Sequence, residues 1–292
     1  MNKTLIGKDN YLFLINDACK ELDIHNNNTC LVDKNFYKRY ENIKEKILFI
    51  VFPNKSFLYS KFLPDNYNLK YRPGFDMYQQ YFGNHILDGY EILKNIDDTY
   101  FKTDTHINNN GGLIIYNSFI NKVNELFKFN IPKKNYTLTK ENVESLSNLC
   151  LGIGDLTWDT NLGNQKLECI KDTYYTINES SQLYMKYVFS ENSQIKLLLK
   201  ECDLITDDTM NNINAKLDWN IISTYILFKR NNTISLKHSV IIFYDSLLSS
   251  TLQLYMELFY EVYFIKSIYD KSIINLINPD YIFEFRVERF LF

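Results

Sequence analysis

A serine near the C-terminal end of the chain stands where a nucleophile would be useful. The apolar run Ser239–Tyr244 predicts a buried strand, and Asp245, Ser246 and a helical pattern follow it directly. A strand that passes through Asp-Ser into a helix places Ser246 at the carboxyl edge of a sheet, where open α/β sheets bind their ligands. The helix start offers unpaired N–H groups and a positive dipole end, which suit an oxyanion. Ser246 is therefore a candidate nucleophile; the alternative is that Asp245 or Ser246 only caps the helix.

A histidine follows an aspartate by two residues in the segment Asp104-Thr105-His106. A serine nucleophile needs a base, usually histidine, and the histidine needs an acceptor that holds its tautomer. In an extended segment the two side chains project to one side, and in a turn the carboxylate can curl back onto the imidazole. His106 is thus the candidate base and Asp104 its partner. The alternative is a turn that only caps the next helix.

The other three histidines have weaker surroundings. His25 lies in an Asn-rich segment, and His85 follows Gly-Asn without a patterned carboxylate. His238 immediately precedes the strand that leads to Ser246, so we expect it at the opposite end of the sheet.

Alternating strand and helix patterns must position these residues. Short apolar runs predict buried strands at residues 11–15, 47–52, 221–228, 239–244, 262–265 and 281–285. Apolar residues at helical spacing predict one helix that follows Gly111-Gly112 and runs to about Phe127, and another after Ser246, continuing to Phe259. This alternation predicts a single α/β domain over residues 1–292, with a mostly parallel sheet and helices on both faces.

Composition excludes several classes of protein. A net charge of −3, with no run of Lys and Arg, argues against nucleic-acid binding or a basic membrane patch. No apolar stretch reaches the about 18 residues of a membrane span, and the N-terminal apolar run is too broken for a signal peptide. Five cysteines without CxxC spacing predict reduced core thiols instead of a disulfide framework or zinc site. We therefore expect a cytoplasmic protein, or a periplasmic one if a signal has been removed.

The order of the two motifs resembles that of a known family. In the circularly permuted SGNH-hydrolase-like proteins typified by the alginate O-acetyltransferases, Asp-x-His precedes Gly-Asp-Ser, as Asp104-Thr-His106 precedes Asp245-Ser246 here. Shorter similarities follow in family order along nearly the whole chain. They are Gly-Lys-Asp-Asn-Tyr-Leu-Phe-Leu at residues 7–14, Pro-Asn-Lys at 53–55 with Tyr59 and Leu63-Pro64, Gly-Asp-Leu at 154–156, and the ending at 279–291 with Glu-Arg-Phe-Leu.

This resemblance implies a flavodoxin-like SGNH-hydrolase fold and a Ser246, His106 and Asp104 triad. It implies O-acetylation of the hydroxyl groups of a bacterial surface polysaccharide through an acyl-enzyme. The expected partners are a polysaccharide or oligosaccharide acceptor and polysaccharide assembly proteins. No bound cofactor or metal is expected; an acetyl donor is required, and acetyl-CoA is the candidate for a cytoplasmic enzyme.

Two positions depart from the family pattern. Tyr244 stands where the family has glycine before Asp-Ser, and Ile107 stands where tryptophan follows Asp-x-His. Tyr244 could narrow the pocket or contact a sugar. Alternatively, the departures mark a glycan-binding module without activity, and the same triad would also serve an acetylesterase.

Three further residues are candidates for substrate binding. Asn108, two residues after His106, resembles the family at this position and could form a hydrogen bond near the site. The alternative is that it is only a turn residue before Gly111. Lys55 and Arg289 could position an anionic sugar or donor, with structural salt bridges as the alternative. The adjacent Glu288 and Arg289 are expected to form a local ion pair.

Overall fold

The computed structural model describes residues 3–30, 32–146, 154–158, 170–178, 226–230, 234 and 236–291. In this part of the chain the strands are β1 Thr4–Ile6, β2 Leu12–Leu14, β3 Ile47–Phe52, β4 Ile86–Asp88, β5 Leu138–Leu146, β6 Ile170–Ile177, β7 Ile226–Arg230, β8 Ser239–Tyr244, β9 Glu261–Ile265 and β10 Tyr281–Val287. The α-helices are α1 Glu21–Asn27, α2 Lys55–Leu58, α3 Pro73–Phe82, α4 Gly89–Leu93, α5 Asn109–Phe127 and α6 Lys271–Ile277. A 3-10 helix, Ser246–Leu254, follows β8 and is here called the Ser246 helix.

The main sheet has six strands in the order β4-β3-β10-β8-β9-β7. The five from β4 to β9 run parallel, and β7 pairs antiparallel with β9 at the edge. The last strand in the chain, β10, lies between β3 and β8. All six residues of β3 are buried, as expected for a strand covered on both faces.

Alternate residues of the central strands face two separate apolar layers. On one face Leu48 and Ile50 of β3 pack with α5 and the Ser246 helix. On the other face Phe49 of β3 packs with α3 and α6. The expectation of a mostly parallel α/β sheet with helices on both faces is confirmed.

Most of the expected strands form, but one belongs to another sheet. The runs at 47–52 and 239–244 match β3 and β8, and those at 262–265 and 281–285 lie within β9 and β10. Residues 226–228 lie in β7, whereas 221–225 lie outside the described residues. The run at 11–15 also contains a strand, β2, but it pairs antiparallel with β1 and not with the main sheet. The reason is local: Asp9 and Asn10 adopt left-handed φ angles of 52° and 61°, which turn the chain back into a hairpin.

Helix α5 begins at Asn109 and includes Gly111 and Gly112, which were expected to precede it. The carbonyl oxygen of the Asn108 side chain accepts the N–H groups of Asn110 and Gly111, so Asn108 caps the helix. No helix among the described residues is long and apolar enough to span a membrane.

The two cysteines that the structure describes are free thiols. Cys19 is half-buried, but Cys30 is exposed, which corrects the expectation of a core position. Cys30 lies in the segment after α1, with its Sγ 3.2 Å from Sδ of Met77. Cys150, Cys169 and Cys202 lie outside the described residues.

Candidate active site

The carboxyl ends of four parallel strands bring the polar sequence motifs to one edge of the sheet. Asn54 and Lys55 follow β3, Asp88 ends β4, Asp245 and Ser246 follow β8, and Glu288 and Arg289 follow β10. Because parallel strands end at the same edge, segments distant in the sequence meet there. Most of these side chains are buried, so each must be satisfied by hydrogen bonds or ion pairs.

Asp245, not Ser246, caps the helix that follows β8. One oxygen of Asp245 accepts the N–H of Leu247 at 2.9 Å, and the other accepts the N–H of Val287 at 2.6 Å. Ser246 is the first helical residue, is half-buried, and is not the cap. Asp245 therefore ties the start of the Ser246 helix to the end of β10, and the hydroxyl of Ser246 is not needed for capping.

The Asp104 carboxylate curls back onto His106, as a turn allows. One oxygen accepts the backbone N–H of His106 at 2.8 Å and contacts Nδ1 of its ring. The other oxygen accepts the backbone N–H of Asp155 at 3.0 Å. Because an ionised carboxylate can only accept, Nδ1 carries the proton and Nε2 is left as the acceptor, which is the tautomer a general base needs.

The charges of this pair stabilise one another. Burial alone lowers the pKa of His106, but the hydrogen bond and charge of Asp104, together with Asp155, outweigh it and raise that pKa above its ordinary value. Burial likewise acts to raise the pKa of Asp104, but the hydrogen bond and charge of His106 prevail and lower it to about 2. Asp104 thus stays ionised beside His106 at neutral pH.

The helices that follow the two motifs pack directly against each other. A Cβ atom at Gly112 of α5 would clash with Cγ2 of Thr251 in the Ser246 helix. Arg289 interacts electrostatically with a residue of each motif. Its positive charge lowers the pKa of His106, and the negative charge of Asp245 raises the pKa of Arg289. Among the described residues no hydrogen bond joins Ser246 to His106. The triad assignment therefore stays a prediction.

Lys55 is buried beneath the turn that carries Asp104. Its Nζ donates to the backbone carbonyls of Leu12, Lys102 and Asp104 at 2.7, 2.8 and 2.9 Å. Burial lowers the pKa of Lys55 to about 8. Since all three donors of an ammonium group are used, Lys55 holds β2 and the 102–104 segment together, and its assignment to substrate binding stays untested.

Arg289 is also buried, and its ion pair is with a distant residue. Its guanidinium lies 2.9 Å from Glu21 of α1, while Glu288 pairs with Arg72 at 3.0 Å. The expected local pair between Glu288 and Arg289 is therefore wrong, because each side chain reaches a partner in the N-terminal part of the chain. Substrate binding by Arg289 stays a prediction.

The remaining predicted residues lie near the site in largely buried positions. Asn108 is fully buried; besides capping α5, its amide donates to the carbonyl of Asp98 at 2.8 Å. Tyr244 is 4% exposed and lies in the apolar layer shared with α5. Ile107 is buried in the same layer, in contact with the position of Gly111. Contact of Tyr244 or Asn108 with a substrate stays a prediction.

Of the other three histidines, His25 contacts Asn54 at this edge, whereas His85 and His238 lie at the amino ends of their strands. His238 lies before β8 and its Nδ1 is 3.4 Å from Asp280, which confirms its expected place at the amino end of the sheet. His85 contacts the carbonyl of Ile47 at 2.9 Å. His25 is buried between the carbonyl of Tyr71 and the side chain of Asn54. Asp104 and His106 thus form the histidine–carboxylate pair of this edge among the described residues.

One site residue was missed by the sequence analysis. Asp155 appears there only within the short Gly-Asp-Leu similarity, yet its carboxylate lies 3.6 Å from Nδ1 of His106. One nitrogen or carboxylate oxygen from each of Asp104, His106 and Asp155 could ligate a metal ion, and these three atoms lie within 4.8 Å of one another. Hydrogen bonds to the 104–106 turn account for this convergence, which spacing in the sequence does not reveal.

Comparison with solved structures finds proteins of similar fold, whereas comparison with protein families and curated sequences finds none. No protein-family model and no curated protein sequence matches this chain. Among solved structures, PatB1 of Bacillus cereus superposes with a TM-score of 0.58 at 15% identity, over 99% of this chain and 96% of PatB1. The O-acetyltransferase domain of Pseudomonas putida AlgJ gives a TM-score of 0.54 at 11% identity, over 99% and 91%. Pseudomonas aeruginosa AlgX gives 0.50 at 10% identity, over 97% of this chain and 61% of AlgX. The resemblance to proteins of the alginate-acetylation type is confirmed at the level of the fold.

Proposed function

We propose that this chain is an O-acetyltransferase with an SGNH-hydrolase-like fold, which acetylates hydroxyl groups of a bacterial surface polysaccharide. Ser246 is the nucleophile, His106 the general base and Asp104 the residue that orients His106. The observation that carries the proposal is the Asp104–His106 pair, held on a turn whose following helix packs against the Ser246 helix. The fold shared with the AlgJ O-acetyltransferase domain supports acyl transfer as the chemistry.

In the first half-reaction, Nε2 of His106 takes the proton of the Ser246 hydroxyl while Oγ forms a bond to the acetyl carbonyl carbon. The carbonyl oxygen becomes an oxyanion, for which the backbone N–H of Ser246 at the helix start is a suitable donor. The bond from the carbonyl carbon to the donor's leaving atom then breaks. His106 returns its proton to that atom, which leaves acetyl-Ser246.

In the second half-reaction, His106 takes the proton of a sugar hydroxyl, and the sugar oxygen attacks acetyl-Ser246. The ester bond to Oγ breaks and Ser246 regains its proton from His106. Asp104 stays ionised throughout, because its low pKa favours the carboxylate that stabilises the imidazolium. If water takes the place of the sugar, the same residues catalyse hydrolysis, so exclusion of water decides between transferase and esterase.

The experiment that tests the proposal separates transfer from hydrolysis. The purified chain is incubated with p-nitrophenyl acetate or radiolabelled acetyl-CoA and with polysaccharide extracted from the source cells. We expect acetyl groups in the polysaccharide fraction, reduced by about 10³-fold or more in Ser246→Ala, since triad members act as a unit. Ser249→Ala, on the same helix, is the matched control and should retain activity.

Each other outcome has a defined meaning. Free acetate without acetylated polysaccharide would replace the transferase proposal by the esterase. No turnover of either donor would support a glycan-binding module, in which the departures at Tyr244 and Ile107 have removed the chemistry. A failure with acetyl-CoA but success with p-nitrophenyl acetate would exclude acetyl-CoA as donor and retain the acyl-enzyme.

A further inference from the structure

The segment Asp155–Trp158 docks on the turn that carries the histidine–carboxylate pair. The N–H of Leu156 donates to the carbonyl of Thr103 at 3.2 Å. The preceding Gly154 is packed so closely on Thr103 that a Cβ atom would clash with the Thr103 carbonyl oxygen. Only a glycine allows this approach, so the docking is built into the backbone.

Asp155 reaches this turn from both its backbone and its side chain. Its N–H donates to Asp104 at 3.0 Å. Its carboxylate accepts the N–H and the hydroxyl of Thr105, at 2.8 and 2.5 Å. The same carboxylate has an oxygen 3.6 Å from Nδ1 of His106. Asp155 therefore contacts Asp104, Thr105 and the imidazole of His106, the three residues of the motif.

We propose that Asp155 is a positioning residue of the active site, which fixes the free oxygen of Asp104 and places a second carboxylate beside the imidazole of His106. The catalytic role of Asp155 rests on the proposed function, whereas its contacts with the turn and its effect on the pKa of His106 do not. With one oxygen held by Asp155 and the other by His106, the Asp104 carboxylate cannot rotate away from the ring. The imidazole is thereby kept in the orientation and tautomer that the base requires.

The charges around His106 predict how removal of the Asp155 charge would change the pKa of His106. Within the described residues, Asp104 faces it from its own turn, Asp155 from the docked segment and Arg289 from the segment after β10. The two carboxylates raise the pKa of His106 and Arg289 lowers it. Since the negative charge of Asp155 favours the protonated imidazole, removing that charge should lower the pKa of His106.

The test is an NMR titration of the His106 ring in chains that carry isotopically labelled histidine, assigned with His106→Gln. We expect Asp155→Asn to lower the pKa of His106 relative to the wild-type chain. The acid limb of kcat/KM for p-nitrophenyl acetate should move to lower pH by the same amount. The plateau value of kcat should fall by about 10-fold, because the side-chain bonds to Thr105 are weakened while the backbone N–H of Asp155 still holds Asp104.

Asp172→Asn is the matched control. Asp172 accepts the N–H groups of Lys102 and Thr103 at 2.6 and 2.9 Å, so it fixes the same turn without lying beside the imidazole. It should leave the pKa of His106 in place. If Asp155→Asn does not fold, Asp155→Ser removes the same charge.

An unchanged His106 pKa in folded Asp155→Asn, or an equal fall in Asp172→Asn, would overturn the positioning role. The titration needs no turnover. A chain that shows the pKa shift but no activity would therefore contradict the proposed function and leave the positioning contact intact.

Discussion

At the residue scale, the edge of the sheet depends on buried charges that are paired over long sequence distances. Arg289 pairs with Glu21, and Arg72 bridges Asp88 and Glu288. These pairs attach the segment after β10 to the N-terminal part of the chain, beside the candidate site. A buried charge that loses its partner is costly, whereas loss of both partners together costs much less.

This asymmetry gives a prediction for Arg289. Arg289→Met should lower the free energy of unfolding by about 3–5 kcal/mol, because it leaves the Glu21 carboxylate buried without its guanidinium. The double change Arg289→Met with Glu21→Leu should be less destabilising than Arg289→Met alone. Urea unfolding followed by circular dichroism measures both.

Lys94→Met, which breaks an exposed ion pair with Glu91, should leave the urea midpoint unchanged. A double variant that is less stable than Arg289→Met would contradict the assignment of Glu21 and Arg289 as a mutually dependent buried pair.

At the element scale, the contact between α5 and the Ser246 helix sets how the two motifs approach. Gly112 is the point of closest approach, because a side chain there would meet Thr251. Gly112→Ala should therefore push the helices apart and reduce turnover of p-nitrophenyl acetate, although it raises the helix propensity of α5. Adding Thr251→Ala removes the clashing methyl group and should restore much of the activity.

Asn121→Ala, at an exposed position of α5, controls for helix propensity alone and should retain activity. Full activity in Gly112→Ala would show that the approach of these two helices does not set the geometry of the site.

The elements show what could be predicted from the sequence and what could not. The runs that became β3 and β8 are continuous and apolar. This pattern predicts strands that are buried on both faces, as the two strands are. The start of α5 was placed too late, after Gly111-Gly112, because hydrophobic spacing does not report its cap, Asn108. The hairpin of β1 and β2 depends on two left-handed residues, Asp9 and Asn10, which hydrophobic patterning does not report.

At the scale of the whole molecule, the motif order and the fold were predictable, but the contacts that serve the site were not. The Asp-x-His spacing indicated that Asp104 would reach His106, since the two residues lie within one turn. Asp155 reaches the same turn from 50 residues away. In the sequence, Lys55 and Arg289 both looked suited to binding an anion. Only the structure shows that Lys55 donates to backbone carbonyls and that Arg289 pairs with Glu21.

The central claim is that Ser246 is an activated nucleophile, and covalent labelling tests it most directly. PatB1 has been solved with a sulfonyl adduct, so a sulfonyl fluoride is a suitable probe for this fold. Oγ of the serine forms a bond to sulfur, fluoride leaves, and the proton passes to the base. The product is read by intact mass spectrometry and peptide mapping.

We expect one adduct in the wild-type chain and in Ser249→Ala, located on Ser246. Ser246→Ala should remain unlabelled, and His106→Ala should react at least about 10²-fold more slowly, because the hydroxyl then lacks its base. An unlabelled wild-type chain, or an adduct that persists in Ser246→Ala, would contradict the assignment of Ser246 as the nucleophile.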